Sequence, residues 1–308
     1  MLENLMIVMG QVAVLFLLMA TGFLLGKINW MSDETSGNIS RILLKVALPC
    51  VIVKSLQVPF TGQLFSALLW GGAGVAIQLA GMILLSLVTF RKVSLESQAP
   101  LRFSLVYSNS MFMGLPLLLA VFGDDAAIYT VPIVVVVQFF MWTHGVSCMG
   151  GASSFRKMIL NPGVISGVIG MALFMAEITL PTPVITALGH IGNINTPLSM
   201  FVVGYQMSKT SLLSVFSNRS IYLATFLRLI VSPLLSILIL FPLRGSNPLM
   251  FCSLTILSAA PVASTAASFT QQHGKNAELA AQVTTLTTAA SLITLPVFAM
   301  LVKMMIGM

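Results

Sequence analysis

The sequence predicts an all-α polytopic membrane protein of ten transmembrane helices, arranged as two inverted five-helix repeats with broken helices in the fourth and ninth places. Three observations lead there. Apolar residues make up 57% of the chain and charged residues 7%, with a mean hydropathy of +1.00, whereas a soluble domain carries about 25% charged residues. The apolar residues fall into ten segments, approximately 5–26, 38–57, 63–90, 98–122, 126–149, 159–178, 183–208, 219–242, 248–271 and 277–304. Most are near the ~20 residues a helix needs to cross a bilayer. Two of them, five places apart, carry proline and a cluster of polar side chains at mid-length.

The charges fix an orientation. Lys27, Arg41, Lys45, Arg91, Lys92, Arg102, Arg156, Lys157, Lys209, Arg219 and Lys275 gather at the ends joined by the loops after segments one, three, five, seven and nine. The other side holds Lys54, Arg244 and Lys303 with Glu3, Asp124, Asp125 and Glu177. By the positive-inside rule the basic side is cytoplasmic and both termini are outside a cytoplasmic membrane. The net charge of +7 comes in ones and twos between apolar runs, which reads as topology and excludes a nucleic-acid stripe. Glu3 precedes the first apolar run and Lys27 follows it, so residues 1–26 read as a retained helix and not a signal peptide. Ser32-Asp33-Glu34-Thr35 is a helix-start signature for the second segment.

The chain centres on Tyr107-Ser108-Asn109-Ser110-Met111-Phe112-Met113-Gly114-Leu115-Pro116. Pro116 has no N–H and its ring clashes with the carbonyl of Phe112, so the helix is expected to kink or open between Ser108 and Phe112. Opened backbone at mid-membrane is tolerated only where it lines a cavity or is buried in protein. The ninth segment has Ser258-Ala259-Ala260-Pro261-Val262-Ala263-Ser264-Thr265 in the matching place, and Pro261 is expected to disturb the carbonyl of Leu257. Pro49 in the second segment and Pro197 in the seventh form a further matching pair of helix breakers. Ten segments divide into 1–152 and 153–308, with the basic loop from Ser153 to Lys157 joining the halves, and an odd-numbered unit inserts its second copy inverted. Two antiparallel helices broken at mid-depth then bring two helix N-termini and unpaired N–H donors together, a place for an anion such as a carboxylate. Ser108, Asn109, Ser110, Ser264 and Thr265 supply the remaining hydrogen bonds.

The run from Ser108 to Leu117 resembles the Asn-Thr-x-x-x-Gly-[Ile/Leu]-Pro-Leu signature of the auxin efflux carrier family, which includes plant auxin carriers and bacterial organic-acid permeases. Val46 to Pro49, Gln138 with Trp142, Arg228 with Pro233, and Ala260-Pro261 resemble the family's landmarks in order and spacing across the chain. The resemblance implies a crossover fold like that of bile acid symporters. Segments one, two, six and seven would form a scaffold, and three to five with eight to ten a transport unit moving as an elevator, often in a homodimer. It also implies that Asn109 contacts the substrate carboxylate, that Gln138 and Thr143 line the site from the fifth segment, and that Val51 walls it with Pro261 and Val262. This sequence departs from plant members in carrying Ser108 where they have proline. It also has an uncharged Trp70 to Gln78 where they have an acidic residue and a lysine, and it lacks their long cytoplasmic loop.

Arg228 is a charge inside a segment, expensive there and a functional candidate by default. The reading favoured here is a structural cation bonded to carbonyls near the cytoplasmic side, coupled to Pro233 and not to the crossover. His144 titrates in the range a proton carrier needs, but reads better as a helix-end histidine at the interface. Acidic residues are confined to segment ends and loops, which leaves a proton through His144, a sodium ion held by carbonyls and hydroxyls, or no coupling ion. Thr284, Thr285, Thr287, Thr288, Ser291 and Thr294 in the tenth segment read as helix packing. Cys50, Cys148 and Cys252 lack metal-ligand spacing, Gly71-Gly72 with Gly74 is too weak for a phosphate loop, and nothing calls for a cofactor. The residues thus indicate a secondary transporter of a small organic anion. A channel-like uniporter is the alternative. An intramembrane enzyme would need a catalytic constellation that His144 and Ser110, on different segments, do not make.

Overall fold

A backbone in lipid satisfies its N–H and C=O groups within one segment only by becoming helical. The described residues of the computed structural model, 2–152, 155–209 and 219–307, are accordingly helices and connecting turns with a single isolated β-bridge. In order they form α1 (Leu2–Lys27), α2 (Asp33–Ser55), α3 (Gly62–Thr89), α4 (Leu95–Val106), α5 (Ser110–Phe122), α6 (Asp124–Cys148) and α7 (Pro162–Met175). There follow α8 (Thr182–Asn193), α9 (Asn195–Lys209), α10 (Arg219–Leu240), α11 (Pro248–Ala259), α12 (Ala266–Gln272) and α13 (Ala277–Met305). Among these, α1, α2, α3, α6, α10 and α13 make six helices long and apolar enough to cross a membrane. The expected fourth, seventh and ninth segments are each divided, into α4 and α5, α8 and α9, α11 and α12. Ser153 and Ser154, at the expected junction of the two halves, lie outside the described residues.

Helix starts follow the sequence closely. Ser32 caps α2, its hydroxyl accepting from Thr35 N–H at 3.1 Å. Thr61 caps α3, Asn161 caps α7, Asn247 caps α11 and Asn276 caps α13 in the same way.

The prolines act differently from expectation. Pro49 does not break α2: a π turn, Leu43–Ala47, precedes it, and Pro49 falls in the first turn of the α-helical segment that follows. Pro116 is handled identically by the π turn Ser110–Gly114, with Gly114 N–H reaching back to Asn109 C=O at 3.2 Å. Pro233 follows the π turn Leu227–Val231. Widening the turn by one residue removes the clash of the proline ring with the preceding carbonyl and re-satisfies the freed group without ending the helix. Pro197 sits in the first turn of α9, and the division from α8 lies upstream of it at Ile194. Of the four expected breakers, Pro261 alone stands in an extended gap.

The helices pack as one contiguous bundle. α1 lies along α9, and α2 packs on α7 and α8. α3 packs on α4, α6 and α10, α11 on α10 and α13, and α4 and α12 on α13. Where α2 and α9 approach α5, α12 and α13 there is a polar cavity.

Candidate functional site

The break between α4 and α5 covers Tyr107 to Asn109, and that between α11 and α12 covers Ala260 to Thr265. Tyr107 and Ala260 have extended backbone, φ −98°, ψ 118° and φ −58°, ψ 147°. The two gaps cross as a short antiparallel bridge centred on Ser108 and Val262. Asn109 N–H donates to Pro261 C=O at 2.7 Å, Ala263 N–H donates to Tyr107 C=O at 3.0 Å, and Val262 N–H donates to Thr287 Oγ1 at 3.3 Å. The sequence expectation of unpaired amides meeting at the crossover is corrected at these three positions. Unsatisfied amides in so dry a place are costly, and here the crossing strands and Thr287 of α13 supply the partners.

What converges at the crossover is instead the C-terminal end of both first halves. Arg228, 2% exposed on α10, donates from Nε to Ala260 C=O at 3.1 Å, from Nη1 to Leu105 and Val106 C=O at 3.2 and 3.4 Å, and from Nη2 to Ser258 C=O. Expected away from the crossover, Arg228 lies at it: the orphan carbonyls ending α4 and α11 carry partial negative charge, and a planar five-donor guanidinium spans both. It is bonded to carbonyls, as the sequence suggested.

Below the crossing a cavity of about 500 Å³ opens toward the end of the bundle that carries Asp33 and Lys209. The start of α2 supplies Asp33, Ser36 and Ser40, and the end of α9 supplies Tyr205, Gln206 and Lys209. The start of α12 adds Ser264, Thr265, Ser268 and Gln271, while α13 adds Thr284, Thr285 and Thr288. Asn109 lines it as well. Asn109 is 6% exposed, and among the described residues its carboxamide has no hydrogen-bond partner. At the mouth, Tyr205 Oη donates to Asp33 Oδ1 at 2.7 Å and Lys209 Nζ stands 5.3 Å from the centre of the Tyr205 ring.

A second cavity, about 760 Å³, enters from the opposite end between the other ends of the same two helices. Val51, Lys54 and Ser55 of α2 and Thr196 of α9 line it with Pro116, Asp124 and Tyr129. Lys54 Nζ and Asp124 Oδ2 form an ion pair there at 3.0 Å.

The sequence-predicted residues therefore divide. Asn109, Ser264 and Thr265 share the first cavity, and Val51 and Pro116 line the second. Pro261 and Val262 are buried within the bridge, and Ser110 is buried in the π turn. Ser108 Oγ donates to Leu257 C=O at 3.4 Å, the carbonyl that Pro261 was expected to leave unpaired. Gln138 and Thr143 line neither cavity. Thr143 Oγ1 bonds back to Phe139 C=O at 2.7 Å, and the rings of Phe103, Tyr107, Trp142 and Phe269 cluster between α6 and α12. His144 lies beside this cluster, with Nδ1 3.1 Å from Tyr107 Oη, which also donates to Phe140 C=O at 2.7 Å.

Sequence reasoning passed over Thr284, Thr285 and Thr288 as packing, and did not single out Ser36, Ser40 or Gln206. The spacing of the three threonines, on one face of α13, was the available signal.

A polar cleft ending on two broken helices inside an apolar bundle is the arrangement of a membrane transporter. Residues 7–154 and 151–299 match the profile of the family described as membrane transport protein, and the chain belongs to that family, the auxin efflux carrier family that the sequence resembles. It is similar to an uncharacterized transporter of Methanothermobacter thermautotrophicus, 23% identical over 306 residues that cover 95% of this chain and 99% of the relative.

Proposed function

We propose that the protein is a secondary carrier of a small organic carboxylate, working by elevator-type alternating access in the cytoplasmic membrane. The observation that carries this is the Asn109 side chain, unpartnered among the described residues and lining a polar cavity with residues of α2, α9, α12 and α13. Its carboxamide donates to the carboxylate, and the hydroxyls of Ser264, Thr265, Thr285 and Thr288 accept from or donate to the rest of the ligand. The carboxamide opens on the cavity and is free to pair with a ligand there.

In this reading α1, α2 and α7 to α9 are the scaffold, and the remaining helices are the moving unit. Ten spans in two inverted sets, 1–152 and 153–308, are supported by the antiparallel bridge between the two breaks and by their matching places in the chain. The two cavities share α2 and α9 as walls at opposite ends, so sliding the crossover past these helices transfers Asn109 from one cavity to the other. With the basic end cytoplasmic and both termini outside, the conformation described here faces inward. Pairing as a homodimer through the scaffold follows the family likeness.

The test is uptake and counterflow in proteoliposomes with labelled acetate, lactate, 3-hydroxybutyrate, indole-3-acetate, malonate, succinate and malate, under imposed proton and sodium gradients. Saturable flux of at least one acid, lost in Asn109→Ala, is expected. Normal flux in that variant removes Asn109 from the site, and flux of none removes the carrier reading. The gradients report whether a proton, a sodium ion or neither is coupled.

A further inference from the structure

We infer that the carried species is a monoanion, with one carboxylate and a neutral polar remainder, and that Arg228 is its fixed countercharge within the moving unit. This rests on the carrier reading above. Apart from Lys209, which stands over the Tyr205 ring at the mouth, the described lining of the cavity offers a second carboxylate no cation. Among the described residues its charged lining groups are Asp33 and Lys209, of opposite sign and both on Tyr205 at the mouth: the phenol donates to Asp33 and Lys209 stands 5.3 Å from the ring centre. The other polar lining groups are hydroxyls and amides.

The cation at the crossover itself is Arg228, and its guanidinium is not available for direct contact. It is 2% exposed, with four carbonyl oxygens as its partners. Those carbonyls satisfy its donors but are dipoles, and they do not cancel a unit charge. Val106, one of its partners, is three residues from Asn109, so the two Cα atoms lie within about 11 Å of each other.

A net charge in a low-dielectric interior is unfavourable whichever sign it has. The empty unit carries +1 at the crossover, a bound monoanion brings it to zero, and a dianion brings it to −1. The loaded unit with a monoanion is the species that crosses most readily, and the empty unit is the one that feels the membrane potential. Exchange of one monoanion for another is thus faster than net transport and indifferent to potential.

The experiment uses wild-type protein in proteoliposomes at neutral pH with the matched pair 3-hydroxybutyrate and malate, followed by the rest of the panel. A potassium gradient with valinomycin sets the potential in either direction. Half-saturation at least tenfold lower for the monocarboxylate is expected, with homoexchange unchanged by the sign of the potential and net efflux into substrate-free buffer changed by it. Malate carried as well as 3-hydroxybutyrate, or monocarboxylate exchange that follows the potential, overturns the inference and leaves the carrier reading standing. Flux of no member of the panel overturns both. Arg228→Lys keeps potential-independent exchange and Arg228→Gln makes it potential-dependent; where Arg228→Gln fails to fold, the wild-type potential measurement decides alone.

Discussion

Thr287 on α13 accepts the backbone N–H of Val262 at 3.3 Å while donating its own proton to Val283 C=O at 2.8 Å. Both residues are fully buried. The hydroxyl is therefore the tie that fixes the extended gap of the α11–α12 break to the longest helix in the bundle.

Replacing Thr287 by valine preserves shape and leaves the Val262 amide with no acceptor. A buried unsatisfied group costs about 1–3 kcal/mol. Thr287→Val is expected to melt clearly below wild type in detergent, and Thr287→Ser to melt near it. Equal melting of the valine variant and wild type shows that the bridge holds without α13.

Asn109 gives the opposite pattern. Its carboxamide makes no hydrogen bond among the described residues, so Asn109→Ala leaves the melting temperature near that of wild type. A hydrogen bond to a charged group contributes about 1.5–3 kcal/mol, so carboxylate affinity is expected to fall roughly tenfold to a hundredfold. Binding measured by competition against the best panel acid checks this, and Asn109→Asp, which sets like charge against the ligand, abolishes it. A large melting shift in Asn109→Ala would reassign the residue to folding.

The helices and caps were legible because apolar runs and Ser, Thr and Asn starts are local signals: Ser32-Asp33-Glu34-Thr35 reads as a cap and is one. The breaks at Ser108 and Pro261 were legible because polar side chains, glycine and proline are out of place at mid-span. Their consequence was not. Proline forbids one bond but does not say whether a helix opens or widens, and at Pro49 and Pro116 a π turn absorbs it. The role of Arg228 depends on two carbonyl ends more than a hundred residues apart in sequence, Leu105 and Ser258, coming together. Gln138 and Thr143 were placed in the site by resemblance. Their helix faces an aromatic cluster whose assembly from α4, α6 and α12 has no local sequence signature.

Lys54 and Asp124 join α2 to the corner between α5 and α6, across the second cavity. With side chains 34% and 72% exposed, the pair is a surface ion pair contributing at most ~1 kcal/mol. Stability is expected to change little in Lys54→Ala. Accessibility is expected to change more if, as proposed, the pair ties a scaffold helix to the moving unit. Thr196→Cys, in a chain whose native cysteines are replaced by alanine, reports it by the rate of labelling with a charged maleimide. Labelling should quicken in Lys54→Ala and in Asp124→Ala and return toward the parent rate in the swap Lys54→Asp with Asp124→Lys. Unchanged rates in all variants would leave the pair without a gating role.

The scaffold reading makes a strong demand on α1 and α9, which must stay together while other helices slide. At two glycines their contact is backbone against backbone. A Cβ placed on Gly22 would sit 2.7 Å from the carbonyl carbon of Phe201, and one on Gly204 would sit 2.8 Å from the amide nitrogen of Phe23. Small residues let transmembrane helices approach this closely and gain dispersion contacts along the seam, because lipid offers no hydrophobic drive to hold them. Since the obstructing atoms are main chain, neither helix can yield by changing a rotamer, and even one methyl group forces the axes apart. Gly22→Ala and Gly204→Ala are each expected to lower the yield of monodisperse protein severely. Gly37→Ala on α2 and Gly10→Ala on α1, where an added Cβ meets nothing within 4 Å, are controls expected to behave as wild type. Size-exclusion profiles and melting curves of the four variants decide it. If Gly204→Ala folds with normal stability, the α1–α9 seam is looser than a rigid scaffold requires, and the division between fixed and moving helices must be redrawn.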